Sequence, residues 1–97
     1  MGLTRFIKRI FGKYETGFEY WVKLSDIKIP ESFKRTRIGE QKWKRKLNYW
    51  LETGELESKI MLDKDFNLLD GYSSVKIAQL YNLDKVPVYF YFKSDKD

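Results

Sequence analysis

The chain predicts an α+β domain of about four short strands and two main helices, preceded by a short amphipathic helix. Three stretches carry that prediction. Residues 18–24 alternate apolar and polar side chains, the period of a half-buried strand. Residues 43–51 carry an apolar stripe at helical spacing, with Trp43, Leu47, Trp50 and Leu51 at i, i+4, i+7 and i+8. Residues 66–92 run as buried strand, glycine turn, compact helix and aromatic-rich final strand, with Asp70-Gly71-Tyr72-Ser73-Ser74 at the turn. A glycine between strand and helix leaves free backbone N–H groups at a helix N-terminus, where an anion can sit.

Composition bounds the rest. Ninety-seven residues support one domain with a single modest core. Aromatic residues make up 18% and charged residues 34%, a globular composition. The chain has no cysteine and no histidine, which excludes disulfides, thiolate chemistry, Cys/His zinc sites and a histidine general base. No apolar run approaches the ~20 residues needed to span a bilayer. The first dozen residues make a poor signal peptide, because charges interrupt their apolar pattern and no small-residue cleavage site follows. Phe6 breaks the myristoylation pattern. A soluble cytoplasmic protein is the expectation. Net charge is +5, but its distribution says more. Residues 1–50 hold thirteen Lys/Arg against five Asp/Glu, including all five arginines; residues 51–97 hold six against nine. Such polarity fits a surface for a polyanion or an acidic protein; a merely solvated basic face is the bland alternative.

Taken in order, Phe6, Ile7, Ile10 and Phe11 among Arg5, Lys8 and Arg9 predict the short basic amphipathic helix, so residues 1–17 read as an extension of the domain. Phe18, Tyr20, Val22 and Leu24 form the inner face of the first strand, which Ser25-Asp26 ends. Residues 31–39 read as an irregular basic loop after Pro30, closed by Gly39. From Glu40 a helix runs to Thr53, with Gly54 suited to its left-handed cap. Lys59–Leu62 and Phe66–Leu69 make a pair of strands about an Asp63-Lys64-Asp65 turn. Ser73 or Ser74 is expected to cap the next helix, which is apolar on most sides, and Asn82 to end it. The last strand puts Val86, Val88, Phe90 and Phe92 on one face and Tyr89 and Tyr91 on the other, and residues 93–97 form a frayed tail.

With its motifs placed, the order of elements resembles a known family. Leu24-Ser25-Asp26-Ile27, Glu52-Thr53-Gly54-Glu55-Leu56, Ile60-Met61-Leu62-Asp63, Leu68-Leu69-Asp70-Gly71, Ala78 and Val86-Pro87-Val88 together are similar to the N-terminal domain of ParB-type partition proteins, of the ParB/sulfiredoxin-like superfamily, over residues 18–92. The resemblance implies a small domain with a mixed sheet that often binds a nucleotide at the glycine turn and often serves DNA. Family members include partition switches, nucleases, kinases and sulfinic-acid reductases. In partition proteins the glycine is followed by an acidic residue and two arginines that engage phosphates. Gly71 matches, but Tyr72 stands in place of the acid and Ser73 and Ser74 in place of the arginines. Serines cannot replace two bidentate phosphate clamps in charge. In sulfiredoxins the residue after the glycine is the reactive cysteine; here it is Tyr72, so that chemistry is excluded.

Three candidate sites emerge. The turn Asp70-Gly71-Tyr72-Ser73-Ser74 is either an anion or nucleotide pocket or a structural turn. Asp63, Asp65 and Asp70 suggest a metal cluster, although the first two fall in a turn where aspartate is favoured for local hydrogen bonds. The segment holding Lys34, Arg35, Arg37, Lys42, Lys44, Arg45 and Lys46 places seven Lys/Arg in thirteen residues with Glu40 the sole acid. Such cations neutralise phosphates and release counterions. Tyr20, Trp21 and Tyr49 add base stacking if exposed, while Trp43 and Trp50 are expected in the core.

The resulting expectation is a non-catalytic protein that binds nucleic acid, or a nucleic-acid-associated partner, through that basic loop and helix. The family resemblance adds that it would be an accessory protein of a plasmid, phage or similar element. No metal and no cofactor is expected. The alternatives are a nucleotide- and magnesium-dependent nuclease or phosphoryl-transfer enzyme using Asp70 and residues 71–74, and a module that docks on an acidic protein. Edge strands and the N-terminal helix leave a homodimer open.

Overall fold

The computed structural model describes residues 14–91, and the expected N-terminal helix and frayed tail lie outside them. Strand β1 (Glu19–Lys23) leads through a 3-10 turn (Leu24–Asp26) to a one-turn helix α1 (Glu31–Lys34) and the long helix α2 (Glu40–Thr53). Then follow β2 (Ile60–Leu62), β3 (Leu68–Asp70), α3 (Tyr72–Leu80) and β4 (Lys85–Phe90). The strands form a mixed sheet in the order β1-β4-β2-β3. β1 runs antiparallel to β4, with Trp21 opposite Pro87; β2 runs parallel to β4, with Ile60 beside Val88; β3 returns antiparallel to β2. The parallel pair needs a crossover, and α3 supplies it between β3 and β4.

One face of this sheet carries the core. Val86, Val88 and Phe90 alternate inward along β4, and with Val22, Ile60, Leu62 and Leu68 they meet Val75 and Ala78 of α3, all buried. Tyr14 closes one end of the core, stacked on Phe90 at 4.3 Å and edge-on to Tyr20 and Phe66. The opposite face is more open, and Trp21 is 59% exposed there.

Local chemistry accounts for three departures from the sequence-based expectations. The expected basic loop begins as a helical turn, α1, because Pro30 enters it with φ −61° and ψ 151° and its carbonyl accepts the Phe33 N–H at 3.0 Å. Glu31 and Lys34 add an exposed i,i+3 pair at 3.8 Å. The strand expected over Phe66–Leu69 is displaced to Leu68–Asp70, because Phe66 adopts φ 68° and Asn67 bridges in parallel to Lys28. Leu68 pairs with Leu62 and Asp70 with Met61, so Leu69 bulges out of register and is exposed. The third departure concerns capping: Gly71, at φ 93°, is the N-cap of α3, and no side chain caps the helix. Ser73 and Ser74 instead lie inside the first turn, and both are buried. The two left-handed helix ends foreseen at Gly54 (φ 75°) and Asn82 (φ 54°) are present, and the Gly54 N–H donates to the Trp50 carbonyl at 2.8 Å.

Candidate functional site: a glycine turn and an exposed basic segment

At the glycine turn, Gly71 is fixed twice over. Its φ of 93° disfavours any L side chain, and a Cβ there would stand 2.4 Å from the Lys59 carbonyl oxygen and 2.8 Å from the Ile60 Cα. The turn is thus pressed directly onto the start of β2. Two of its donors are engaged internally. The Asp70 carboxylate accepts the Gly71 N–H at 2.9 Å. Ser74, 1% exposed, donates its hydroxyl to the Ser58 carbonyl at 2.6 Å. Tyr72 packs against Phe33 of α1, ring centroids 5.5 Å apart, with the Lys76 ammonium 5.8 Å from the Tyr72 centroid.

Lys46 also comes to this region, which its charge did not lead us to expect. It is 6% exposed and its ammonium hydrogen-bonds the Ser58 hydroxyl and the Glu57 carboxylate, the latter at 3.2 Å. Lys46 therefore faces inward while the other expected basic contacts face solvent. The reason is the rotation of α2. Its inward stripe is Trp43, Lys46, Leu47 and Trp50, at i, i+3, i+4 and i+7; Lys46 is buried and the other three are half-buried. Leu51, expected on that stripe, is 60% exposed, and neither tryptophan reaches the fully buried core.

The remaining cations lie on the surface. Lys34, Arg35, Arg37, Lys42, Lys44 and Arg45 are all exposed. Lys34 pairs with Glu31 at 3.8 Å, Lys44 with Glu40 at 3.7 Å and Arg45 with Glu57 at 3.7 Å, solvent-screened contacts of small energy. Arg35, Arg37 and Lys42 make no ion pair among the described residues. On α2, Lys42, Arg45 and Tyr49 fall at i, i+3 and i+7, so two cations and a partly exposed aromatic ring share one stripe. Trp21 is exposed as well, whereas Tyr20 is half-buried and its hydroxyl accepts the Glu15 N–H at 3.1 Å.

The acidic candidates do not converge. Asp63 receives the N–H groups of Asp65 and Asn67 at 2.8 and 2.9 Å and the Asn67 side-chain amide at 3.1 Å, a self-contained turn. Burial pushes the Asp63 carboxyl up, but the Asn67 backbone and side chain, the Asp65 N–H and the charge on Lys28 outweigh it and hold the group below its usual value. Among the described residues no group of three or more acidic side chains is placed to hold a metal ion. A shallow concavity lined by Leu24, Ile27, Gln79, Asn82 and Asp84 lies at the far end of α3. No helix of the described residues is long and apolar enough to cross a membrane.

A short mixed sheet, a crossover helix entered through a glycine and a long outer helix define a known architecture. The chain has the fold of a ParB N-terminal domain. It matches a pNOB8-like ParB N-domain in its C2221 crystal form with TM-score 0.66 at 18% identity, covering 81% of this chain and 31% of that one. A second pNOB8-like ParB N-domain structure gives 0.61 at 22% identity, over 82% of this chain and 30% of the other. The C-terminally truncated chromosome-partitioning protein ParB from Caulobacter crescentus, complexed with CTP-γ-S, gives 0.61 at 16% identity, over 82% and 47%. The chain thus spans less than half the length of these structures, and at such identities the likeness is one of fold. No protein-family model matches the sequence, and no curated protein matches it.

The Caulobacter structure holds a nucleotide analogue, so the glycine turn must be tested for one. The N–H groups of Tyr72, Ser73 and Ser74 at the start of α3 make no hydrogen bond among the described residues, but the turn carries no arginine or lysine side chain to clamp a triphosphate. The Gly71 N–H is taken by a carboxylate, the Ser74 hydroxyl by a carbonyl, and the buried Lys46 ammonium by Glu57 and Ser58. A polyphosphate would meet the Asp70 charge where it needs bidentate cations.

Proposed function

We propose that this chain is a non-catalytic nucleic-acid-binding accessory protein that uses a ParB-like domain as a scaffold for a basic surface. The observation that carries this reading is the run of six exposed cations, Lys34, Arg35, Arg37, Lys42, Lys44 and Arg45, of which three have no acidic partner among the described residues. They span the end of α1, the loop to Gly39 and the first half of α2, so the segment offers charge from both loop and helix. Backbone phosphates are the ligands such cations take, with Tyr49 beside them to stack on an unpaired base. On this reading the glycine turn is structural and carries no nucleotide, and the protein works in the cytoplasm beside the DNA of a plasmid, phage or similar element.

The test is fluorescence anisotropy with a labelled duplex and a labelled single strand, at low and physiological salt. Binding should weaken steeply with salt. Changing Arg35, Arg37, Lys42 and Arg45 together to alanine should cost ~100-fold in affinity and flatten the salt slope by ~0.9 for each duplex phosphate that is no longer neutralised. Unchanged affinity in that variant would remove the basic segment from the interface. Failure of the wild-type chain to bind either probe at low salt would point to an acidic protein as partner.

A further inference from the structure

Strand β1 stands at the edge of the sheet, and among the described residues it pairs with β4 alone. The Leu24 N–H donates to the Asp84 carbonyl at 2.9 Å. Antiparallel alternation from that bond turns the backbone groups of Val22 and Tyr20 toward β4 and those of Glu19, Trp21 and Lys23 toward the free edge. Pro87, which has no N–H, sits opposite Trp21, where β1 requires no donor. The edge therefore presents the N–H and C=O groups of three alternate residues outward, with a tryptophan in the middle that is 59% exposed.

We propose that this edge pairs antiparallel with the same edge of a second copy of the chain, about a two-fold axis at Trp21. Strand length and charge select the register. With Trp21 opposite Trp21, each Glu19 faces Lys23 of the other copy, and Tyr20 faces Val22. All three outward residues on each copy then find backbone partners, and both charge pairs are complementary. A slip of one residue sets outward groups against inward ones and forms no ladder. A slip of two strands one charge of each pair beside tryptophan, and a slip of four brings glutamate onto glutamate or lysine onto lysine. Charged side chains on an edge ordinarily guard it against pairing. Placed symmetrically about Trp21 with opposite sign, these two instead favour one self-complementary partner. The two tryptophans come together on the open face of the joined sheet, covering apolar surface that one copy leaves in water.

The test is sedimentation velocity of the full chain over a concentration series, without nucleic acid, so its outcome is separate from that of the DNA-binding experiment. Wild type should shift from monomer to dimer as concentration rises. Glu19→Lys alone and Lys23→Glu alone each oppose like charges across both ends of the strand pair, and each should raise the dimer dissociation constant at least ~10-fold. Both positions are exposed, so the fold is kept, as circular dichroism will verify. An equimolar mixture of the two variants restores opposite charges across the edge and should regain the dimer, as should the double exchange Glu19→Lys/Lys23→Glu. A wild-type chain that stays monomeric, single variants that dimerise like wild type, or a mixture that stays as dissociated as its components would each overturn the proposal.

Discussion

The Ser74 hydroxyl donates to the Ser58 carbonyl at 2.6 Å, and it replaces a backbone donor that the sheet lacks. The Tyr91 N–H donates to the Leu62 carbonyl at 2.9 Å, and in a parallel ladder the bonds recur every second residue. Two steps back, residue 87 would meet Ser58, but residue 87 is proline and has no N–H. The buried serine on α3 thus completes the ladder between β4 and the entry to β2. Ser74→Ala should cost ~1–2 kcal/mol, read as a lowered urea midpoint, because it leaves a carbonyl unsatisfied in the interior. Adding Pro87→Ala to that variant supplies the missing N–H, so the double variant should be more stable than Ser74→Ala alone. If the second substitution only lowers stability further, the serine is not acting as the substitute donor.

Lys46 separates stability from binding. Its ammonium is buried against Glu57 and Ser58, whereas its neighbours Lys44 and Arg45 are in solvent. Removing one partner of a buried polar contact leaves the others desolvated. Lys46→Ala should therefore destabilise the fold by ~2 kcal/mol, through poorer packing around the missing stem and the loss of its hydrogen bonds. The folded variant should bind a DNA duplex as wild type does. Loss of affinity matching that of Arg45→Ala would place Lys46 on the binding surface instead.

Two glycines in the left-handed region should respond unequally to alanine. Gly54 ends α2 with open space around it, and Gly54→Ala should cost ~1 kcal/mol, the conformational penalty alone. At Gly71 a Cβ would collide with the Lys59 carbonyl and the Ile60 Cα, both backbone atoms of a sheet strand or its entry. Gly71→Ala should cost ~2–4 kcal/mol. Equal losses in a thermal or urea melt would mean that the close approach to β2 relaxes freely.

What the sequence could show depended on whether the relevant interaction is local. Gly71, Gly54 and Asn82 announce left-handed turns through their own residue types, and alternation along Val86, Val88 and Phe90 marks the inner face of β4. Lys46 escaped because its charge placed it with the exposed cations. Its spacing to Trp43 and Trp50, three and four residues away along the inward stripe, was the signal that could have found it. The role of Ser74 was hidden for a different reason. Nothing in residues 72–75 says that Pro87 leaves Ser58 without a donor, a fact of the pairing between β2 and β4. The edge position of β1 is equally non-local, since it follows from the order β1-β4-β2-β3.

Asp63 makes a pH-dependent contribution whose direction follows from its bonds. Hydrogen bonds from Asn67 and Asp65, with the Lys28 charge, hold its folded-state pKa below the usual value against the opposing effect of burial. Such a group stabilises the fold fully above the ordinary carboxylate pKa, and the contribution is lost as pH falls through the depressed folded value. In Asp63→Asn the side-chain carbonyl still accepts backbone N–H groups, but no oxygen remains for the Asn67 amide. The variant should be ~1 kcal/mol less stable at neutral pH. It carries no titrating group at this position, so the gap from wild type should close as pH falls from about 6 to about 2.5. The readout is the urea midpoint of both proteins across that range. A gap that stays constant would show that the turn draws nothing from the ionised form, and one that widens in acid would reverse the assigned sign.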